Sequence, residues 1–164
     1  MKKRYGIYLA ALLAVCIIGV IVYLQGSKSE WNEQAVKAFA DTYFKTMIEK
    51  GPAEAVDDCY FATEVEREMF RESDFPYTSY EIREISPINE NLYVLTVDLT
   101  EPSHEGTEGE TLTVHNFVAR LDGTIYLMNN VRHVPESIEE GLERSKYEVV
   151  GEGGLDLKDL VVSE

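Results

Sequence analysis

The sequence predicts an α+β protein: an N-terminal transmembrane helix, then a long helix and short helices packed on a curved antiparallel sheet of about four strands. Three observations carry this. Tyr5 to Leu24 is a run of twenty residues without charge or proline. From Trp31 to Lys50 the apolar residues return every three or four positions, the period of one helix face. Between Leu92 and Glu101 apolar and polar residues alternate, the period of a strand. Helical patterns first and strand patterns later point to helices segregated on an antiparallel sheet.

At about 1.5 Å per residue, the first run spans roughly 30 Å as a helix, the thickness of a bilayer core. Tyr5, Tyr8 and Tyr23 fall near its ends, where aromatic rings prefer the interface, and Cys16 and Leu24 lie within it. Lys2, Lys3 and Arg4 precede it, which places the N-terminus in the cytoplasm and the chain from Gln25 onward outside. Residues 1–24 are therefore read as cytoplasmic tip and anchor of a single-pass cell-membrane protein. Residues 25–30 are the linker, 31–146 an extracytoplasmic domain, and 147–164 an acidic C-terminal tail. Two other readings compete. A cleaved signal would use Ser27-x-Ser29, but Lys28 interrupts that site, and the run exceeds the roughly 7–15 residues of a signal core. A lipoprotein signal would modify Cys16 after Leu13-Ala14-Val15, but Val15 stands where a small residue is wanted and eight more apolar residues follow.

Of 164 residues, 30 are acidic and 15 basic. All the carboxylates, but only 12 basic residues, lie beyond Leu24, leaving a net −18 on the outer part. Such a surface repels nucleic acid and anionic headgroups, so neither is an expected partner. Cys59 is the one cysteine beyond the anchor, so no disulfide within the domain and no zinc-type spacing is possible.

The helix from Trp31 ends at Gly51-Pro52, and its breadth suits a large flat surface such as a sheet. A second helix is expected from Pro52 to about Tyr60, and a third from Thr63 to Arg71. Strands follow at Thr78–Ile88, Leu92–Glu101, Thr111–Leu121 and Thr124–Val134. Asn89-Glu90-Asn91 turns the chain between the first two, and Asp122-Gly123 is a hairpin turn between the last two. Glu136–Lys146 reads as a short helix. In the tail, LDLKDLVV adds a small helix or a strand.

AVKAFADTYFKTMIEKGPAEAVDDCYF, with its AxxFxxxYF spacing and following short helix, and the DGTIYLMNNV hairpin together resemble the nuclear transport factor 2-like superfamily, the cystatin-like or SnoaL-like cones. The likeness covers about Trp31 to Val134. It implies a conical fold with a pocket between the long helix and the concave face of the sheet. It also implies a role as enzyme, binding module or dimerising scaffold. No functional residue carries over from it position by position.

Around Asp122-Gly123, residues whose numbers sum to about 245 face each other. His115 then opposes Asn130 and shares a face with Phe117, Met128 and Arg132. His115, Asn130 and Arg132, with Tyr93, are the ligand-binding candidates, and His115 is the weak candidate for a general base. His104, amid Glu101, Glu105, Glu108 and Glu110, lacks the ligand order of a dedicated calcium loop. No phosphate loop, G-x-S-x-G, H-E-x-x-H or C-x-x-C occurs, and no cofactor or metal is expected.

The expected function is a membrane-anchored extracytoplasmic binding or assembly module without catalysis, with a protein partner or self-association. The architecture is similar to inner-membrane scaffold subunits of type IV secretion and conjugation machines. The alternative is a small-molecule enzyme or carrier using a cone pocket around His115.

Overall fold

The computed structural model describes residues 31–103, 109–128, 134–150 and 154–158. Helix α1, Glu33–Lys50, buries Val36, Ala40, Tyr43, Phe44 and Met47, one stripe at helical period. It stops at Gly51, whose φ of 85° a side chain would resist. Pro52 then opens the short α2, Pro52–Ala55, where its missing N–H costs nothing. One tight 3₁₀ turn, Val56–Asp58, leads to strand β1, Cys59–Tyr60. Helix α3, Glu64–Arg71, is held by a capping box: Thr63 Oγ1 accepts from the Glu66 amide, and the Glu66 carboxylate accepts from the Thr63 amide, each at 3.2 Å.

Four longer strands follow: β2, Ser79–Asn89; β3, Leu92–Thr100; β4, Thr111–Leu121; and β5, Thr124–Met128. They form a curved sheet in the order β1-β5-β4-β3-β2. Two expectations need correction. The sheet has five strands and is mixed, because β1 runs parallel to β5, pairing Cys59 with Leu127 and Tyr60 with Met128. The expected second helix ends at Ala55, and its last residues become the 3₁₀ turn and β1.

The β4–β5 register follows the Asp122-Gly123 turn, with Phe117 opposite Met128 and Leu121 opposite Thr124. Both turn residues have positive φ, as the two-residue hairpin requires. In β2 the register slips at Arg83. This bulge keeps Tyr80, Ile82 and Ile85 on one face, opposite Leu99, Val97 and Leu95. β2 is a sheet edge, and the bulge, Pro87 and exposed Glu81, Arg83 and Glu84 discourage another strand from adding to it.

β3 is buried on both faces, so the sheet is the middle of three layers. Toward α1 lie Leu95, Val97 and Leu99, with Tyr80 stacked on Phe44 at 5.4 Å and donating to the Asp41 carbonyl at 3.1 Å. The opposite face carries a second core, formed by Leu92, Val94, Phe117, Ala119 and Met128 of the sheet with Ile138, Tyr147 and Leu155. The last three come from helix α4, Glu136–Glu143, and the antiparallel pair β6, Tyr147–Val150, and β7, Gly154–Leu157. The segment read as a tail therefore contributes, over its described residues, a hairpin that covers the sheet.

Among the described residues no helix is long and apolar enough to cross a membrane. The run Tyr5–Leu24, with Tyr5, Tyr8, Cys16, Tyr23 and Leu24, lies outside them.

Candidate functional site

A cleft of about 480 Å³ opens between α1, α3 and the sheet. Tyr43, Phe44 and Met47 of α1 form one wall. Met69 and Phe70 of α3, with Phe61 before it and Phe75 and Tyr77 after it, form the other. The floor is Leu99, Val114, Asn116 and Leu127. The second wall is built from ring pairs: Phe61 and Phe70 lie 5.3 Å apart, and Phe75 and Tyr77 5.1 Å apart. Such pairing fixes the rings beyond what burial alone does.

The sequence makes this wall for a simple reason. α3 is short and strongly charged, and it has no fully buried residue. It is moored by its capping box, by the ion pair of Arg67 with Asp57, and by the rings on either side of it. It therefore stands away from the sheet rather than collapsing onto it, and the gap is the cleft.

Asn116 is the polar group of the floor. Its row on β4 runs Leu112, Val114, Asn116, Val118 and Arg120, so its immediate neighbours in the row are apolar, and its amide makes no side-chain hydrogen bond among the described residues. A small number of polar groups in an apolar pocket is the arrangement that orients a ligand. Tyr43 is itself held from outside the cleft lining, where the buried Cys59 thiol donates to its hydroxyl at 3.6 Å. Burial pushes the Cys59 thiol up to about 12, although the Tyr43 contact pulls the other way. Burial likewise raises Tyr43 well above the ordinary phenol range. Both groups are neutral at physiological pH, so the thiol is not a ready nucleophile.

Of the candidates chosen from sequence, His115 lies on the opposite face. It is directly across from Thr96, whose Oγ1 is 3.1 Å from His115 Nδ1, and its ring is 5.3 Å from Tyr147. It does not border the cleft, and the pocket between helix and sheet is not centred on it. The face it shares with Phe117 and Met128 is as the numbering rule places it, but the C-terminal hairpin covers that face. Tyr93 is on the α1 side, opposite Val118 and Pro87 and six residues up β3 from Leu99, about 20 Å along the strand. The structure thus brings neither His115 nor Tyr93 into the cleft. Asn130, Arg132 and the acidic loop's His104 lie outside the described residues. Among the described residues no group of three or more His, Cys, Asp or Glu side chains is placed to hold a metal ion.

Near His115, Lys146 Nζ is 3.6 Å from Glu84 and 5.4 Å from the Tyr147 ring centre. The Ser86 hydroxyl donates to Glu84 and, with Lys146, holds that carboxyl below its usual range. These contacts tie the hairpin to β2 at the surface. A depression of about 540 Å³ also adjoins the β4–β5 turn, lined by Arg120, Asp122, Thr124 and Ser137 beside Tyr60 and Tyr126. It has fewer aromatic and aliphatic lining residues than the cleft.

Asn116, Phe61, Phe75 and Tyr77 were not picked out from the sequence. Asn116 had a visible signal, a single amide in the row Leu112, Val114, Asn116, Val118. The three rings had none, because they lie in irregular segments without periodicity. No protein-family model, curated protein or solved structure matches the chain.

Proposed function

We propose that the protein is a non-catalytic binding module of cone-like fold, held at the outer surface of a membrane by Tyr5–Leu24, and that the aromatic cleft takes its partner. The observation that carries this is the cleft itself. It has two walls made mainly of aromatic and aliphatic side chains, with Glu66, Ser73 and Asp74 beside them, a floor with one amide, and the Tyr43 phenol held neutral. Those features suit recognition by apolar burial with one orienting hydrogen bond. The long helix over a curved sheet supports the cone reading, and the lopsided charge supports the outer location.

The test uses the full chain in nanodiscs of zwitterionic lipid and a neutral naphthylamine dye that brightens in apolar sites. Met69 borders the cleft yet is 68% exposed, so Met69→Glu leaves the core intact. Dye uptake above the empty-disc background is expected, lost in Met69→Glu and kept in His115→Ala. The opposite pattern would refute the reading. The location has its own check: a mature N-terminus near Ser29, or a diacylated Cys16, would overturn the uncleaved transmembrane anchor.

A further inference from the structure

The apolar surface does not stop inside the cleft. Val65 and Met69 of α3 are 69% and 68% exposed and lie one helical turn apart. Met69 belongs to both surfaces, so a continuous apolar track runs from the floor at Asn116, over Met69, to Val65. An extended track with anchors about one turn apart matches a helical segment better than a compact small molecule.

The charge beside the track is one-sided. Residues 64–74 hold five carboxylates and two arginines. Both arginines are engaged, Arg67 with Asp57 and Arg71 with Glu68 at 2.7 Å. Glu64, Glu72 and Asp74 have no ion pair among the described residues, and Asp74 lines the cleft. A second copy docking by this same face would bring these carboxylates against their counterparts, which like charge opposes. A cationic segment would be attracted and oriented by them.

We propose that the cleft binds a segment of a second protein that presents bulky apolar side chains flanked by Lys or Arg. This rests on the reading of the cleft as the binding site.

Three synthetic helix-forming peptides of about 18 residues, five turns, test it by displacing the dye from the full chain in zwitterionic nanodiscs. All carry Leu and Phe on one face, with Lys, Gln or Glu on the other. The Lys peptide is expected to displace the dye at about tenfold lower concentration than the Gln peptide, and the Glu peptide not at all. Glu64→Gln and Glu72→Gln, which lie outside the cleft lining, should each weaken the Lys peptide by about two- to fivefold and leave dye uptake unchanged. Raising salt should shrink the same preference. Equal displacement by the Lys and Gln peptides, or by neither, overturns the inference while dye uptake keeps the cleft reading standing. Absence of dye uptake overturns both. A concentration-dependent rise in mass abolished by Met69→Glu assigns the face to a second copy and also overturns the inference.

Discussion

Replacing Tyr147 by alanine tests whether the C-terminal hairpin is structural cover or an appendage. Tyr147 is 1% exposed and is the largest fully buried side chain among the described residues. It closes the second core over Val94 and Phe117 and meets the His115 ring at 5.3 Å. Removing an aromatic side chain from such a site costs about 3–5 kcal/mol, from lost burial and the cavity left behind. With a urea slope of about 2 kcal/mol per molar, the midpoint should fall by roughly 2 M at unchanged slope. That is a large part of a typical domain's total of about 5–15 kcal/mol, yet it leaves a measurable folded state. Tyr147→Phe keeps the ring and should cost about 1 kcal/mol or less. His115→Ala, at a half-buried position, should cost less than Tyr147→Ala. The assay is equilibrium urea unfolding followed by far-UV circular dichroism. A loss below about 1 kcal/mol for Tyr147→Ala, with unchanged slope, would refute the second core.

Two other outcomes follow from close packing and from burial. In α4, a Cβ at Gly141 would lie 2.9 Å from Leu92 Cδ2 and 2.8 Å from Asn89 Nδ2. Asn89 can swing into solvent, but Leu92 is fully buried. Overpacking of about 1–3 kcal/mol therefore outweighs the roughly 1 kcal/mol helix preference for alanine. Gly141→Ala should lower stability in the same urea assay, and a gain would mean that α4 is free to shift outward. Cys59 should resist thiol reagents at pH 7 to 8 until the protein unfolds, and rapid labelling of the folded protein would contradict its burial. The sign in alkali follows from its raised value. The folded thiol titrates near 12 and the unfolded one near 8.5, so its contribution is whole below about pH 8.5 and fades as pH climbs toward 12. Tyr43, raised for the same reason, acts in the same direction.

Much of the framework was legible because it rests on local rules. Thr111–Leu121 matches its predicted span, and Asp122-Gly123 set the register that pairs Phe117 with Met128. Thr63 to Arg71 is a helix with Thr63 as its cap. β1 was not legible, because two residues cannot display an alternation, and their partners lie far downstream. The face of His115 was assigned correctly by parity, but parity does not say what covers a face. That face of β3 is polar at Thr96 and Asp98, whereas Leu92 and Val94 in the same row belong to the core with Ile138 and Tyr147. The cleft was half legible: its α1 wall and its floor follow from period, and its α3 wall depends on rings in irregular chain.

The short strand β1 also bears on the order in which the protein can be completed. Cys59 and Tyr60 pair with Leu127 and Met128, more than a third of the chain further on. A contact of that span requires a long closure before it returns any stability. Tyr43 meets Cys59, whose strand partner is Leu127, and shares the cleft lining with Leu127, so the cleft is finished only after β5 has been made. On a ribosome, the part of the domain made first is thus enclosed last. Until Met128 emerges, the apolar stripe of α1 lacks part of its cover, and that interval is when the chain is most open to wrong partners.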